Sequence, residues 1–163
     1  MNNRIPPQPG QESVWDYPRP PRVEAVSHRL RVEYQGVVIA DTLKGYRVLE
    51  TSHPPAYYIP QADVQMRYLM LTARHTFCEY KGQASYWSLK LGDDVVRDVA
   101  WMYANPNKGY EAIRDHLSFY ASRVTACYVG EERVTPQEGD FYGGWITSWV
   151  VGPFKGGAGT WGW

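Results

Sequence analysis

The chain has 163 residues and a mass of 18.7 kDa, enough for one domain of ordinary size with modest extensions and too little for two independent catalytic domains. Seventeen Lys and Arg balance seventeen Asp and Glu, so the field of the whole molecule gives no reason to expect nucleic acid or an anionic membrane as partner. The longest apolar run, residues 99–104, is far short of the roughly eighteen residues a membrane-spanning helix needs, and residues 1–7 lack an apolar signal-peptide core, which leaves a cytoplasmic location as the expectation. Cys78 and Cys127 are too few for a disulfide framework. Seven Trp and thirteen Tyr against four Phe put the weight on aromatics that carry a polar handle, as in a β-rich fold, a stacking pocket, or both.

In chain order, residues 1–22 form a Pro-rich arm that reads as extended chain, with Val14, Trp15 and Tyr17 as the groups able to tie it to a domain as a strap. Leu30, Val32 and Tyr34 alternate with Arg29, Arg31 and Glu33, Gln35-Gly36 supplies a turn, and residues 37–40 return, so residues 29–40 read as a hairpin. A third strand covers residues 46–50, with Tyr46, Val48 and Glu50 on one face. Tyr57-Tyr58-Ile59 is a short extended piece, followed by a single turn at residues 61–63. Residues 68–73 are apolar without alternation and read as a strand buried on both sides. Residues 85–89 and 95–103 form a second hairpin around Gly92-Asp93-Asp94.

Ile113, His116, Leu117 and Tyr120 recur at helical spacing after Asn107-Lys108-Gly109 and predict one short helix. Strands resume at residues 123–129 and 133–134. Seven or eight strands against one helix predict a mainly β fold, either an antiparallel β-barrel or a sandwich, with the helix closing one end. Residues 135–163 change character. Eight of the fifteen glycines and four of the seven tryptophans, Trp145, Trp149, Trp161 and Trp163, fall between 139 and 163. Such a tail cannot build its own core, so its rings dock on the domain, meet another chain or stay exposed.

Familiar catalytic patterns are mostly absent. Gly152 to Gly157 begins like a phosphate loop but has Ala158 and Gly159 where Lys and Ser or Thr are needed. No Asp-x-Asp pair is present for two-metal chemistry, and His75 with Cys78 gives at most half a zinc site, so no metal and no cofactor are implied. The strongest cluster is Glu50, Tyr57, Tyr58, Asp63, Lys81, Tyr86 and Trp87, acidic, basic and aromatic groups that strand ends and the loops 51–64 and 74–83 bring to one rim. Packing of Tyr86 and Trp87 across strands, with a Glu50 to Lys81 ion pair, accounts for the same residues without a ligand.

Residues 23–134 resemble the family catalogued as domain of unknown function 427. The likeness is carried by residues 37–41, by Leu49-Glu50 with residues 55–60 and Asp63-Val64, by Thr76-Phe77-Cys78 with residues 81–87, and by residues 100–103 with Pro106 and Phe119-Tyr120. Family members have proline after the cysteine where this chain has Glu79. The tail is similar to an extension of some bacterial members. The resemblance implies a compact β-rich fold of the two-sheet, tent-like type and no established activity, although a nucleotidyltransferase label attaches to the family.

Three functions are carried forward. The first is a small-molecule or peptide-binding β domain whose pocket uses Glu50, Tyr57, Tyr58, Asp63, Lys81, Tyr86, Trp87, Trp101 and Tyr103. The second is a thiol enzyme with Cys78 as nucleophile and Lys81 and Glu50 assisting. The third is an interaction protein that presents the Trp-rich tail, with homo-oligomerisation through that tail left open.

Overall fold

In the computed structural model, which describes residues 3–139 and 141–163, the first hairpin forms from Leu30–Tyr34 and Val37–Thr42. Its two turn residues, Gln35 and Gly36, have φ of 46° and 79°, the left-handed pair that a two-residue hairpin turn requires. In chain order the strands are β1 (Glu12–Ser13), β2 (Arg22–Ala25), β3 (Leu30–Tyr34), β4 (Val37–Thr42), β5 (Tyr46–Leu49), β6 (Ala56–Pro60), β7 (Leu69–Cys78) and β8 (Gly82–Leu91). They continue with β9 (Asp94–Met102), β10 (His116–Phe119), β11 (Ala126–Val129), β12 (Glu132–Arg133), β13 (Thr135–Pro136), β14 (Trp145–Ile146) and β15 (Val150–Val151).

A seven-stranded sheet has the order β2-β5-β6-β10-β9-β8-β7, and a four-stranded sheet the order β12-β11-β3-β4. Every pairing in both is antiparallel. The fold is mainly β and, of the two architectures the sequence allows, it is the two-sheet one: neither sheet closes into a barrel.

Two elements differ from the sequence expectation. The short helix does not form. Glu111–Ile113 make a single 3-10 turn, Asp115 turns the chain at φ 58°, and His116–Phe119 become β10, paired with β6 on one side and β9 on the other. Leu117, Ser118 and Phe119 are all wholly buried, so a central strand without alternation produced the spacing that resembles a helix. Residues 68–73 do form strand, but β7 is the edge of the large sheet, and Met70 and Leu71 are exposed rather than covered on both sides.

The large sheet has an apolar cluster on each face. On one face Tyr57, Ile59, Leu89, Ala100, Met102, Leu117 and Phe119 pack against Leu30, Val32, Ile39, Cys127 and Val129 of the smaller sheet. The opposite face carries Val48, Tyr58, Ala84, Tyr86, Trp101 and Tyr103, with Tyr110, Ile113 and Tyr120 beside them. Each strand supplies both faces because successive side chains point to opposite sides.

The arm and tail pack together on this framework. β1 runs parallel to β15, and Val14 and Tyr17 join Leu49 and Val150 in a small third cluster, so the arm is a strap. The tail rings divide: Trp145 is wholly buried in the main core, Trp149 lies against His28 with ring centroids 4.4 Å apart, Trp163 meets Trp15 at 5.3 Å, and Trp161 is exposed.

Candidate functional site

Between the outer face of the large sheet and the arm and tail lies a cavity of about 430 Å³, within the roughly 300–1,000 Å³ typical of small-molecule sites. Its floor is aromatic. β6 contributes Tyr58, β8 Tyr86 and β9 Trp101, and Tyr103 and Tyr120 stand at the ends of β9 and β10. Trp101 packs edge-on to Tyr58 with centroids 6.1 Å apart and against Tyr120 at 4.8 Å. Hydrogen bonds fix the rings: Trp101 Nε1–H donates to the Tyr58 hydroxyl at 3.1 Å, Tyr86 and Thr76 share a hydroxyl bond at 2.8 Å, and Tyr120 O–H donates to the Phe141 carbonyl at 2.8 Å. Burial pushes the Tyr58, Tyr103 and Tyr120 phenols well up, so all three are neutral donors.

The rim is charged. Arg19 from the arm reaches Glu50 with Nε to Oε2 at 3.3 Å and donates to the Thr51 carbonyl at 2.8 Å. This pairing replaces the Glu50 to Lys81 bridge of the sequence reading and leaves Lys81 without a carboxylate partner among the described residues. Lys81 is nevertheless buried, 9% exposed, with Nζ 5.8 Å from the centre of the Tyr103 ring. Its position is set by the turn between β7 and β8, held by Asn107, whose amide N–H donates to the Lys81 carbonyl at 2.9 Å and whose side-chain Nδ2 donates to the Tyr80 carbonyl at 3.1 Å.

The tail supplies the lid, with Phe141, Tyr142, Gly143, Gly144, Lys155 and Trp163. Gly143 lies so close to Trp101 that a Cβ there would stand 2.5 Å from the indole ring, so only glycine admits this approach. Buried Gln137 ties lid to rim. Its Oε1 accepts from the Gly144 amide at 3.0 Å, its Nε2 donates to the Lys155 carbonyl at 2.7 Å, and Nε2 also lies 3.3 Å from His53 Nδ1. With Nε2 as donor, His53 Nδ1 is the acceptor and the ring proton sits on Nε2. Burial first, then the charges of Lys155, Arg19 and Lys81, hold His53 down at about 3, so its imidazole is neutral at pH 7.

Of the residues singled out from sequence, Glu50, Tyr58, Lys81, Tyr86, Trp101, Tyr103 and Cys78 line this cavity. Three do not. Tyr57 and Trp87 are the strand neighbours of Tyr58 and Tyr86, so their side chains leave by the opposite face toward the main core. Asp63 sits in the 3-10 turn Gln61–Asp63 and accepts from the Thr42 hydroxyl at 2.7 Å. Arg19, His53, Tyr120, Gln137, Tyr142 and Lys155 are site residues that sequence reasoning missed. Phe119-Tyr120 belonged to a family motif but was placed on a helix, and the others come from segments whose contacts no periodicity reveals.

A second cavity of about 420 Å³ lies between arm and tail, with Tyr57, His28 and Trp149 in its walls. Its charges are satisfied internally, since Arg47 reaches Glu12 at 2.5 Å and Glu24 at 2.7 Å. The first cavity differs in presenting Lys81, which no carboxylate of the described residues pairs with.

A family model described as a domain of unknown function (DUF427), with the short name NTP_transf_9, matches residues 22–130. No curated protein matches the chain. The matched span holds the cavity floor, Glu50 and Lys81, whereas Arg19 and the whole lid lie outside it.

Proposed function

The chain belongs to the DUF427 family, defined by a domain of unknown function, and from that premise we propose that it is a small-molecule-binding β domain whose ligand lies on the aromatic floor under the tail. The observation that carries the reading is a cavity of about 430 Å³ in which neutral, hydrogen-bonded rings form one wall and charged groups gather at the opposite rim. An apolar floor with a few convergent polar groups is how small-molecule sites are commonly built.

Ala56 on β6 lines the cavity as its smallest floor residue, so Ala56→Leu fills the space without touching the rim. Neutral aromatic fragments, indole and quinoline, are expected to give ligand-observed NMR signals with the native chain, to compete with each other, and to lose binding in Ala56→Leu at unchanged melting temperature. Equal binding to both proteins overturns the reading.

A second reading, thiol chemistry, draws on Cys78 lining the same cavity. Among the described residues no side-chain base hydrogen-bonds the Cys78 thiol, so the binding reading does not need it. Cys78→Ala is expected to bind the fragments unchanged. Stoichiometric labelling of native protein by iodoacetamide at neutral pH, blocked by bound fragment, favours the thiol reading instead.

A further inference from the structure

The cavity holds donors that have no acceptors among the described residues: Lys81 from the turn between β7 and β8, Tyr58 from β6 and Tyr103 from just past the end of β9. Lys81, 91% buried, carries a charge that no carboxylate of the described residues pairs with. Its one ring contact is with Tyr103. The Tyr103 hydroxyl, on a side chain only 5% exposed, makes no hydrogen bond among the described residues. The Tyr58 hydroxyl accepts from Trp101, which leaves its own proton without an acceptor there. These groups line the cavity, so a bound acceptor there takes the place of water as their partner. An ammonium 5.8 Å from the Tyr103 ring centre, with the Tyr58 ring 6.4 Å from that of Tyr103, on the wall of a cavity large enough for a small molecule, makes a recess suited to an anion.

The carboxylates that line the cavity among the described residues are engaged elsewhere or face outward. Glu50 is held by Arg19 at 3.3 Å, and Glu79, the other carboxylate on the cavity wall, is exposed on the turn between β7 and β8. Lys155, at the lid, has its ammonium 5.3 Å from the Tyr142 ring centre and 3.4 Å from the Trp163 main-chain oxygen, with no side-chain carboxylate partner among the described residues. The rings of Trp101, Tyr58 and Tyr86 supply the stacking surface for the rest of the ligand.

We propose that the ligand is an aromatic acid, with its carboxylate or phosphate held by Lys81 Nζ and the Tyr103 and Tyr58 hydroxyls and its ring on the floor beside Trp101. This rests on the small-molecule reading and names the ligand class for the same cavity. Lys81 is the residue that selects for charge, whereas the rings bind acid and neutral analogue alike.

Four probes with a common ring system separate the two claims: 2-naphthoate, 2-naphthyl phosphate, 2-naphthamide and 2-(aminomethyl)naphthalene, titrated by calorimetry into the full chain at 50 and 500 mM salt. A charge-assisted hydrogen bond is worth about 1.5–3 kcal/mol, so at least one acid is expected to bind roughly tenfold or more tighter than the amide. Its advantage shrinks at high salt, and the amine binds no better than the amide. Which of the two acids gains more tells carboxylate from phosphate.

Lys81→Met is expected to bring acid and amide within about twofold of each other by weakening the acid alone. Tyr103→Phe, which keeps the ring, takes a smaller part of the acid preference, and Lys81→Arg keeps most of it. Both neutral-ring binding and folding are read in the same variants, through amide affinity and melting temperature. Equal affinity for acid and amide in the native chain overturns the proposal and leaves the cavity reading standing. So does a Lys81→Met variant that keeps the acid preference, or an amine that binds best. Failure of all four probes to bind overturns both.

Discussion

His53 is an imidazole that the fold keeps neutral by burying it beside Arg19, Lys81 and Lys155, and this makes it a measurable contributor to pH dependence. Its value in the folded chain is about 3, against about 6.5 in an unfolded one. Between those limits the unfolded chain takes up a proton that the native chain refuses. Stability therefore falls as pH drops below about 6.5, by up to about 1.4 kcal/mol per pH unit, and the loss is complete only near pH 3. Measured by urea unfolding between pH 7.5 and 5, the native chain is expected to lose about 2 kcal/mol more than His53→Gln. Gln lacks the proton site, and parallel profiles would remove His53 as a source of acid sensitivity. This residue gave no signal in the sequence, because its environment comes from an arm residue 34 positions before it and a tail residue 102 positions after it. Lys81 was legible as a candidate, but its state was not: the partner assigned to it, Glu50, is taken by Arg19.

At the scale of elements, strand alternation was readable where one face meets core and the other meets solvent, as at Leu30 and Val32 against Arg31 and Glu33. It fails where both faces are apolar. β6 carries Tyr57 toward the core and Tyr58 toward the cavity, and β8 does the same with Trp87 and Tyr86, so the sequence offers no contrast by which to choose between neighbours. The same lack of contrast made β10 resemble a helix. The tail strand β14 shows what such ambiguity hides. Trp145 is wholly buried among residues of both sheets, 5.1 Å from the Tyr57 ring centre, with Nε1–H donating to the Phe119 carbonyl at 2.9 Å. Trp145→Ala is expected to cost about 3–5 kcal/mol, as for other buried Trp or Phe to Ala changes. Trp161→Ala, on an exposed ring, is expected to change stability by less than about 0.5 kcal/mol. Chemical denaturation of the two variants checks the contrast, and similar losses would mean that Trp145 is not the tail's anchor.

For the molecule as a whole, balanced charge conceals an uneven distribution. The exact equality of acidic and basic residues argued against polyanionic partners at long range, yet the cavity gathers Arg19, Lys81 and Lys155 from three distant segments, one of them outside the family domain at each end. That gathering depends on the arm and tail closing over the sheet together. Glu12 and Ser13 pair with Val150 and Val151, the Glu12 amide donates to the Trp149 carbonyl at 2.8 Å, and Val14 and Tyr17 bury themselves against Leu49 and Val150. The Lys155 amide in turn donates to the Ser52 carbonyl at 2.8 Å, so the lid hangs from the strap on one side and the loop after β5 on the other. Deleting residues 1–18 removes the strap's two anchors, whose burial is worth roughly 1.5–3 kcal/mol each, and leaves β15 without its partner. Hydrogen exchange is then expected to accelerate most in residues 145–155, toward unprotected rates, while amides of β9 and β10 accelerate only to the level set by the lower global stability. Naphthalene-probe affinity falls with the lid, even though every floor ring remains. Uniform acceleration across the sheet and tail would instead mean that arm and tail unfold only with the whole molecule, and that the lid is a fixed wall of the cavity rather than a separately held one.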